Sequence, residues 1–360
     1  MDGFRYANKT LSTQYILTHF HSDHYGGLSK SWNVGIIYCT LTTANLVHQK
    51  LGVEKQYLHP LPLHVPTVLD SNDGKAITVT LFDANHCPGA AIFLFQINNN
   101  KKKILHVGDF RWNRDQMLKS FFQQYHPSTL IPIDTIYFDT TYCDAKYHDM
   151  PTQQEAIHAT IQAIEQHLQK QDKQKKKILF LFGSYTIGKE KVYLAAARHF
   201  RMKVYVDSTR YKTLACCSGS WPELQSVLTT NKKDSCLWVV PNGHINFQHL
   251  GAYLGKANHA TQALNSPYTN IVAFRPTGWS FSPSKQKKID NSSSVLNMKS
   301  NGNITVYGVP YSEHSSFKEL VDCLFTLKPK QIIPTVNVSK SEHQIDLLLK
   351  AVEKRERIID

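Results

Sequence analysis

Residues 15–24 read Tyr-Ile-Leu-Thr-His-Phe-His-Ser-Asp-His, and this turn limits the fold more than any other segment. His19 and His21 are two apart, so in extended backbone their imidazoles point to one side and can share an ion. Asp23 and His24 fall beyond the bend, where they can hold a second ion beside the first. Imidazole mixed with carboxylate, without thiolate, is a donor set that Zn²⁺ accepts at hydrolytic sites while leaving a position open for water. The fold must therefore bring further ligands to the end of this strand from distant positions.

Two later segments offer them in order. Asp83-Ala84-Asn85-His86-Cys87-Pro88-Gly89 presents His86 after an apolar strand expected at 77–82, and His106-Val107-Gly108-Asp109-Phe110 presents Asp109 at the end of another. Strand ends are where such sites are usually assembled. Three His around one ion, a second set of Asp and His, and one carboxylate able to bridge them make a two-metal hydrolase site.

Charge narrows the partner. The formal net charge is +13 and the sequence pI about 9.3, a field that concentrates polyanionic, phosphate-bearing ligands. The lysine runs at 101–103 and 173–177 read as solvated surface at a hairpin tip and a helix end. The seven Cys include no Cys-x-x-Cys pair, and the neighbours Cys216 and Cys217 are poorly suited to a staple, so free thiols in a reducing compartment are expected. No apolar run long enough to span a membrane and no charged-then-apolar leader is visible, which implies a soluble, unsecreted protein with no membrane partner.

The chain alternates strand-like and helix-like segments. Strands are expected at 35–38, 77–81, 104–107 and 135–138, with a helix at 42–50. Pro151-Thr152-Gln153-Gln154-Glu155 opens a helix running to about 170, with Thr152 as cap and Glu155 as its partner in a capping box. A strand at 178–182, a helix at 189–200 and a strand at 203–206 then form a βαβ unit, which implies a small parallel sheet of its own. The Ser-, Asn- and Lys-rich stretch 281–303 reads as a linker.

Inside that βαβ unit, Gly183-Ser184-Tyr185-Thr186-Ile187-Gly188-Lys189 fits the Gly-x4-Gly-Lys part of a phosphate-binding loop, at the strand-to-helix junction where such loops work. Glu190 follows where a nucleotide triphosphatase needs Ser or Thr for Mg²⁺, which argues against an ATPase and leaves a phosphate cradle. Its candidate contacts are Ser184, Tyr185, Thr186, Gly188 and Lys189. Arg275 and Thr277, in Phe274-Arg275-Pro276-Thr277-Gly278-Trp279, are candidates for the same anion.

The His-x-His-x-Asp-His turn with the later His86 and Asp109 resembles the metallo-β-lactamase superfamily. Asp139-Thr140-Thr141-Tyr142-Cys143, the 183–191 loop, the 274–279 segment and Pro310-Tyr311-Ser312-Glu313-His314 resemble its β-CASP nuclease branch. Val336, where RNA-cutting members carry His, points to the DNA interstrand-crosslink repair 5′ exonucleases related to Artemis and Apollo. The resemblance implies an α/β fold, a metallo-β-lactamase αββα sandwich with an inserted β-CASP α/β domain. Its metallo-β-lactamase domain spans 1–150 and 291–360, with the insertion at 151–290. The implied metal ligands are His19, His21, Asp23, His24, His86 and Asp109, holding one tight zinc ion and a second, weaker one. Asp2 matches an orienting Asp, Asp139 an orienting carboxylate and His314 a proton donor.

The implied activity is zinc-dependent hydrolysis of phosphodiester bonds in single-stranded DNA or duplex ends, from 5′-phosphorylated termini, in nuclear DNA repair alongside unidentified repair-complex partners. Family members also carry strands ahead of the position of Asp2, so an unprotected sheet edge is expected near the start of this chain. Three rivals remain open. An RNA-processing β-CASP endonuclease would keep the same ligands, and Val336 argues against it. A small-molecule hydrolase leaves the 183–189 loop unexplained. A non-catalytic DNA-end-binding protein would be expected to lose ligands that are all present.

Overall fold

The structure is a computed structural model of the 360-residue chain and describes residues 1–69, 77–97, 101–122, 133–174, 177–219, 224–260, 267–281 and 295–359. Asn98, Asn99 and Asn100 of the expected hairpin tip, Lys175 and Lys176, and residues 282–294 of the expected linker lie outside them. The chain forms two compact units, Met1–Asp149 with Glu313–Asp360, and Met150–Ser312.

In the first unit, β1 (Gln14–Ile16), β2 (Ile36–Cys39) and β3 (Leu58–Pro60) form a parallel three-stranded sheet in that order. A six-stranded mixed sheet follows the order β16-β8-β7-β6-β5-β4. Its strands are β4 (Thr67–Leu69), β5 (Ile77–Asp83), β6 (Ala91–Ile97), β7 (Lys102–His106), β8 (Thr135–Phe138) and β16 (Gln331–Pro334). The two sheets face each other across Leu69, Val79, Leu81, Ala91 and Phe93 on one side and Ile16 and Tyr38 on the other. Alternation along β5 and β6 supplies that inner face, as period-2 backbone requires.

Helix α1 (Leu41–Leu51), capped by the Thr40 side chain, contacts β3, and the C-terminal helix Ser341–Ile359 contacts β16. Helices thus cover both outer faces, giving an αββα arrangement. β1 is an edge strand, as expected, but the Asp2 N–H donates to the Ile16 carbonyl there at 2.9 Å. In the 101–103 run, Lys101 and Lys102 are exposed, while Lys103 is buried, contrary to the surface expected of it.

The second unit opens with helix α3 (Gln153–Gln174), the first turn of which carries the expected box: the Thr152 N–H donates to Glu155 Oε2 at 2.8 Å and the Glu155 N–H to Thr152 Oγ1 at 3.1 Å. Its seven-stranded sheet runs β11-β10-β12-β9-β13-β15-β14 and is parallel except for β14. The strands are β9 (Ile178–Ser184), β10 (Val204–Tyr205), β11 (Leu228–Thr229), β12 (Leu237–Pro241), β13 (Asn270–Pro276), β14 (Asn297–Asn301) and β15 (Ile304–Val309). The expected 281–303 linker therefore contains an edge strand. The chain returns to the first unit at Glu313 rather than 291, because 304–309 pairs with β13.

Residue alternation divides this sheet between two faces. Leu179, Leu181, Trp238, Ile271 and Ala273 pack on helix α7 (Phe247–Ala260) through Leu250, Tyr253 and Ala257. On the other face Phe182, Phe274 and Tyr307 stack in a row at 5.2 and 5.4 Å. That row meets α3 through His167 and helix α4 (Glu190–Phe200) through Tyr193. Buried on both sides, β9 reads as an unbroken apolar run.

Candidate metal centre

His19, His21 and His24 follow β1 in a turn closed by the His24 and Tyr25 N–H groups on the His21 carbonyl, both at 3.0 Å. Asp109 enters from the turn after β7, where Gly108 adopts φ +59° and a Cβ would lie 2.9 Å from that of Thr18. Only glycine meets both demands without strain. Beyond Asp109 the chain is clamped to the segment carrying His314. The Ser315 N–H donates to the Phe110 carbonyl at 3.0 Å, the Trp112 N–H to Ser315 Oγ at 2.9 Å, and buried Arg111 forks onto Glu319 at 3.1 Å.

His19 Nε2 lies 3.0 Å from His21 Nδ1, and His86 Nε2 3.1 Å from the same atom. Asp109 Oδ2 faces the Nε2 atoms of His24, His19, His86 and His314 at 3.4, 3.7, 3.8 and 3.9 Å. Asp23 approaches His24 Nε2 at 3.6 Å, though its side chain is 78% exposed. Five of the six expected ligands, His19, His21, His24, His86 and Asp109, thus lie together, with Asp23 at the margin beside His24.

For His86, His24 and His19 the far side of the ring fixes the tautomer. The Glu313 carbonyl lies 2.8 Å from His86 Nδ1 and can only accept, so Nδ1 carries the proton and Nε2 turns a lone pair inward. Asp2 Oδ2 does the same to His24 Nδ1 at 2.8 Å. Thr18 Oγ1 gives its proton to Asp2 Oδ2 at 2.7 Å and so accepts from His19 Nδ1 at 3.0 Å. Asp2 is therefore a positioning residue that acts on two imidazoles, one of them through Thr18. His314 Nδ1 bonds Asp139 Oδ2 at 2.8 Å, and Asp139 is held from behind by the Thr141 N–H and hydroxyl at 3.0 and 2.6 Å.

The electrostatics suit a cation. Burial lowers the pKa of His19 well below its ordinary value, assisted by the neighbouring imidazoles, so its ring stays neutral and able to ligate. Burial opposes protonation of His24 too, but Asp109 and Asp2 outweigh it and raise it to about 10, a proton that a cation would replace. Asp139 is held below the usual carboxylate range, where His314 and Thr141 overcome the cost of its burial. Nitrogens 3.0–3.1 Å apart are near the roughly 3.3 Å expected of neighbouring ligands on a tetrahedral zinc. The donor set fits the metal the sequence implies.

Three features of this site were not read from the sequence. Cys87 brings its sulfur within 4.8 Å of the His19, His21 and His86 donor atoms, although the expected set had no thiolate. His314 shares a donor group with His86 and Asp109. Thr18 and the Glu313 carbonyl act only through contacts that the fold creates.

The 183–189 loop follows β9 as expected, but its polar groups are partly engaged within the loop. Ser184 Oγ donates to the Gly188 carbonyl, and the Gly188 N–H donates to Glu190 Oε1, both at 2.8 Å. Lys189 adopts φ +73° as the N-cap of α4, with Nζ 5.5 Å from the Tyr311 ring centre. Arg210, unread in the sequence, donates to the Tyr185 carbonyl at 2.6 Å and to Ser184 Oγ at 3.2 Å. Tyr185 and Thr186 are exposed. Thr277 Oγ1 accepts from the Trp279 N–H at 3.4 Å. Arg275 falls in step with Ala273 and Ile271 on the α7 face, whereas Ser184 shares the opposite face with Phe182. The structure does not bring Arg275 together with the loop.

Residues 15–138 match the family model described as metallo-beta-lactamase superfamily, and residues 222–340 the one described as DNA repair metallo-beta-lactamase. The chain is 40% identical over 94% of its length to the DNA cross-link repair 1A protein of Mus musculus, covering 30% of that protein. It is 38% identical to the DNA cross-link repair protein SNM1 of Arabidopsis thaliana, covering 63% of it. With the 5′ exonuclease Apollo of Danio rerio it shares 32% identity over 89% of this chain and 48% of that one. The chain thus spans under a third of the mouse relative and less than two thirds of the plant one. A crystal structure of a protein of unknown function from Enterococcus faecalis V583 shares the fold, with a TM-score of 0.50 and 16% identity over 91% of this chain and 76% of that one. With the donor geometry at His19, His21, His86 and Asp109, these matches show that the chain carries a metallo-β-lactamase domain at 15–138 and a DNA repair metallo-β-lactamase domain at 222–340, similar over most of its length to DNA cross-link repair proteins.

Proposed function

We propose that this chain is a zinc-dependent DNA nuclease, a 5′-to-3′ exonuclease acting on 5′-phosphorylated ends in interstrand-crosslink and other DNA repair, in the nucleus. The observation that carries the reading is the convergence of the His19, His24 and His86 ring nitrogens on Asp109 Oδ2, with His21 Nδ1 beside those of His19 and His86 and the proton-bearing nitrogens of His24 and His86 turned outward. The relatives named for DNA cross-link repair and for 5′ exonuclease activity support the substrate class. Zinc bound there supplies Lewis-acid polarisation of a phosphate and acidifies water.

The protein's own groups supply the rest. His19, His21 and His86 would hold one ion and Asp23 and His24 the other, with Asp109 within reach of both. Asp139 fixes the His314 ring so that Nε2 faces the site, from which a protonated imidazole can give its proton to the departing 3′ oxygen of the released nucleotide, leaving a new 5′ phosphate on the shortened strand. Lys189, Arg210 and Ser184 form the cradle that we assign to the terminal 5′ phosphate, and the basic surface provides binding with weak sequence preference.

Degradation of end-labelled oligonucleotides tests the proposal, with DNA against RNA and 5′ phosphate against 5′ hydroxyl, with and without chelator. Chelator-sensitive release of mononucleotides from 5′-phosphorylated DNA is expected. Equal cutting of RNA, or cutting that survives full metal removal, overturns it.

A further inference from the structure

A cavity of about 380 Å³ opens on the α7 face of the second unit's sheet, where no site has so far been assigned. Its floor follows from register. Arg275 pairs with Gly308 and Gly308 with Asn297, while Val306 pairs with Lys299, so these residues lie in two neighbouring rows on one face. Phe247, in the first turn of α7, forms one wall, and Trp279, 70% exposed, forms the rim. Gly308 keeps the floor open, since a Cβ there would come within 3.1 Å of Ser280 Oγ and 3.6 Å of Asn297 Cβ.

Two aromatic side chains beside two exposed cations are the elements of a single-strand platform: a base stacks on an aromatic face, and its phosphate pairs with a cation. The volume lies within the roughly 300–1,000 Å³ of ligand pockets and suits one nucleotide.

We infer that this pocket holds one nucleotide of an unpaired DNA strand, with the base on Trp279 and Phe247 and the phosphate on Arg275 and Lys299. The inference rests on the nuclease reading and adds a subsite that grips the strand apart from the cradle at Ser184 and Lys189. Arg275 thereby has a role that its position on the α7 face allows.

The test is anisotropy of a labelled oligothymidylate on full-length Asp109→Ala protein, which binds without degrading it. Adding Trp279→Ala should weaken binding roughly 5- to 150-fold, the effect of losing one base-stacking contact. Adding Arg275→Gln should flatten the slope of log K against log salt by about 0.7, the share of one single-strand phosphate. Gly308→Val fills the floor while keeping both cations and Trp279, and should also weaken binding. Trp279→Ala and Gly308→Val proteins that bind like their parent overturn the pocket and leave the nuclease reading intact. Thymidine 5′-monophosphate held as tightly as the oligonucleotide overturns the strand assignment. A parent that binds no oligonucleotide overturns both readings.

Discussion

Asp2 and His24 are 22 positions apart in the chain and 2.8 Å apart in the fold, with a carboxylate oxygen on the imidazole Nδ1. Asp2 reaches this place by adopting φ +51° and by accepting the Thr18 N–H at 2.9 Å on its other oxygen. Because the Thr18 hydroxyl relays the same carboxylate to His19, one outer residue orients a ligand in each half of the site.

The relay predicts the behaviour of Thr18→Val, which keeps the shape of the side chain and removes the hydroxyl that His19 Nδ1 donates to. Loss of an outer partner of this kind lowers metal affinity roughly 10- to 100-fold. Metal titration with a chromogenic chelator measures it directly. Thr18→Ser, which restores the hydroxyl, should recover most of the affinity, and a valine variant that holds metal like the parent would refute the relay.

Asp109→Ala removes the carboxylate that stands between both sets of nitrogens. Nuclease activity should fall by on the order of 10³-fold or more, since several kcal/mol of charge stabilisation is lost. DNA affinity should change little, because basic surface supplies it. Single-turnover cleavage alongside a binding isotherm separates the two; near-parent cleavage by contaminant-free protein would refute the two-metal assignment.

His106 gives a pH-dependent stability. Burial pushes its pKa down to about 4, and its ring stacks on Tyr137 at 5.2 Å while Nδ1 accepts the Gly108 N–H. A folded-state pKa below the unfolded value of about 6.5 means that its contribution is complete above that pH. It is lost as pH falls towards 4, because the unfolded chain takes up the proton first. The loss at pH 5 is at most about 2 kcal/mol. Urea unfolding of the parent and of His106→Gln at pH 7 and pH 5, both in chelator, tests this: the parent should lose more than the variant, and equal losses would discount His106.

Much of the site was legible because metal chemistry demands particular residue types at strand ends, and those stand out in a sequence. The Thr152–Glu155 box was legible for a similar local reason. What was hidden depends on pairing between distant segments. The Glu313 carbonyl that sets the His86 tautomer is 227 positions away. The assignment of Arg275 to the loop ignored the alternation of β13 and its register with β9, and register is not written in either strand alone. The edge strand at 297–301 reads as linker because, Met298 apart, its exposed residues are polar, as an edge facing water permits.

Lys189 carries a prediction sharpened by its backbone. At φ +73° alanine would add strain, so Lys189→Gly is the cleaner variant. The preference for 5′-phosphorylated over 5′-hydroxyl ends should fall by roughly 1.5–3 kcal/mol, the worth of a charge-assisted contact. Glu190→Gln should move the preference the other way, because it keeps an acceptor for the Gly188 N–H and removes a carboxylate from beside the incoming phosphate. Competing the two ends in one reaction measures both, and equal rate losses on both ends would leave Lys189 a general electrostatic role.

The two ions should differ in how tightly they are held. The set on His19 and His86 is enclosed, with side-chain exposures of 0% and 2%, while Asp23 of the other set is 78% exposed and leaves water to complete the shell. Stepwise dialysis against increasing chelator should therefore remove one equivalent of metal before the other. Val336 follows β16, and its carbonyl accepts from Thr140 Oγ1 at 2.9 Å and Gln344 Nε2 at 3.3 Å, so the backbone there is fixed beside the strand end that carries Asp139. Val336→His adds an imidazole at that end and should raise the retention of the weaker ion. Metal content at each dialysis step decides the matter: two ions lost together from the parent would overturn the inequality, and an unchanged second loss in Val336→His would mean that the added ring does not reach the ion.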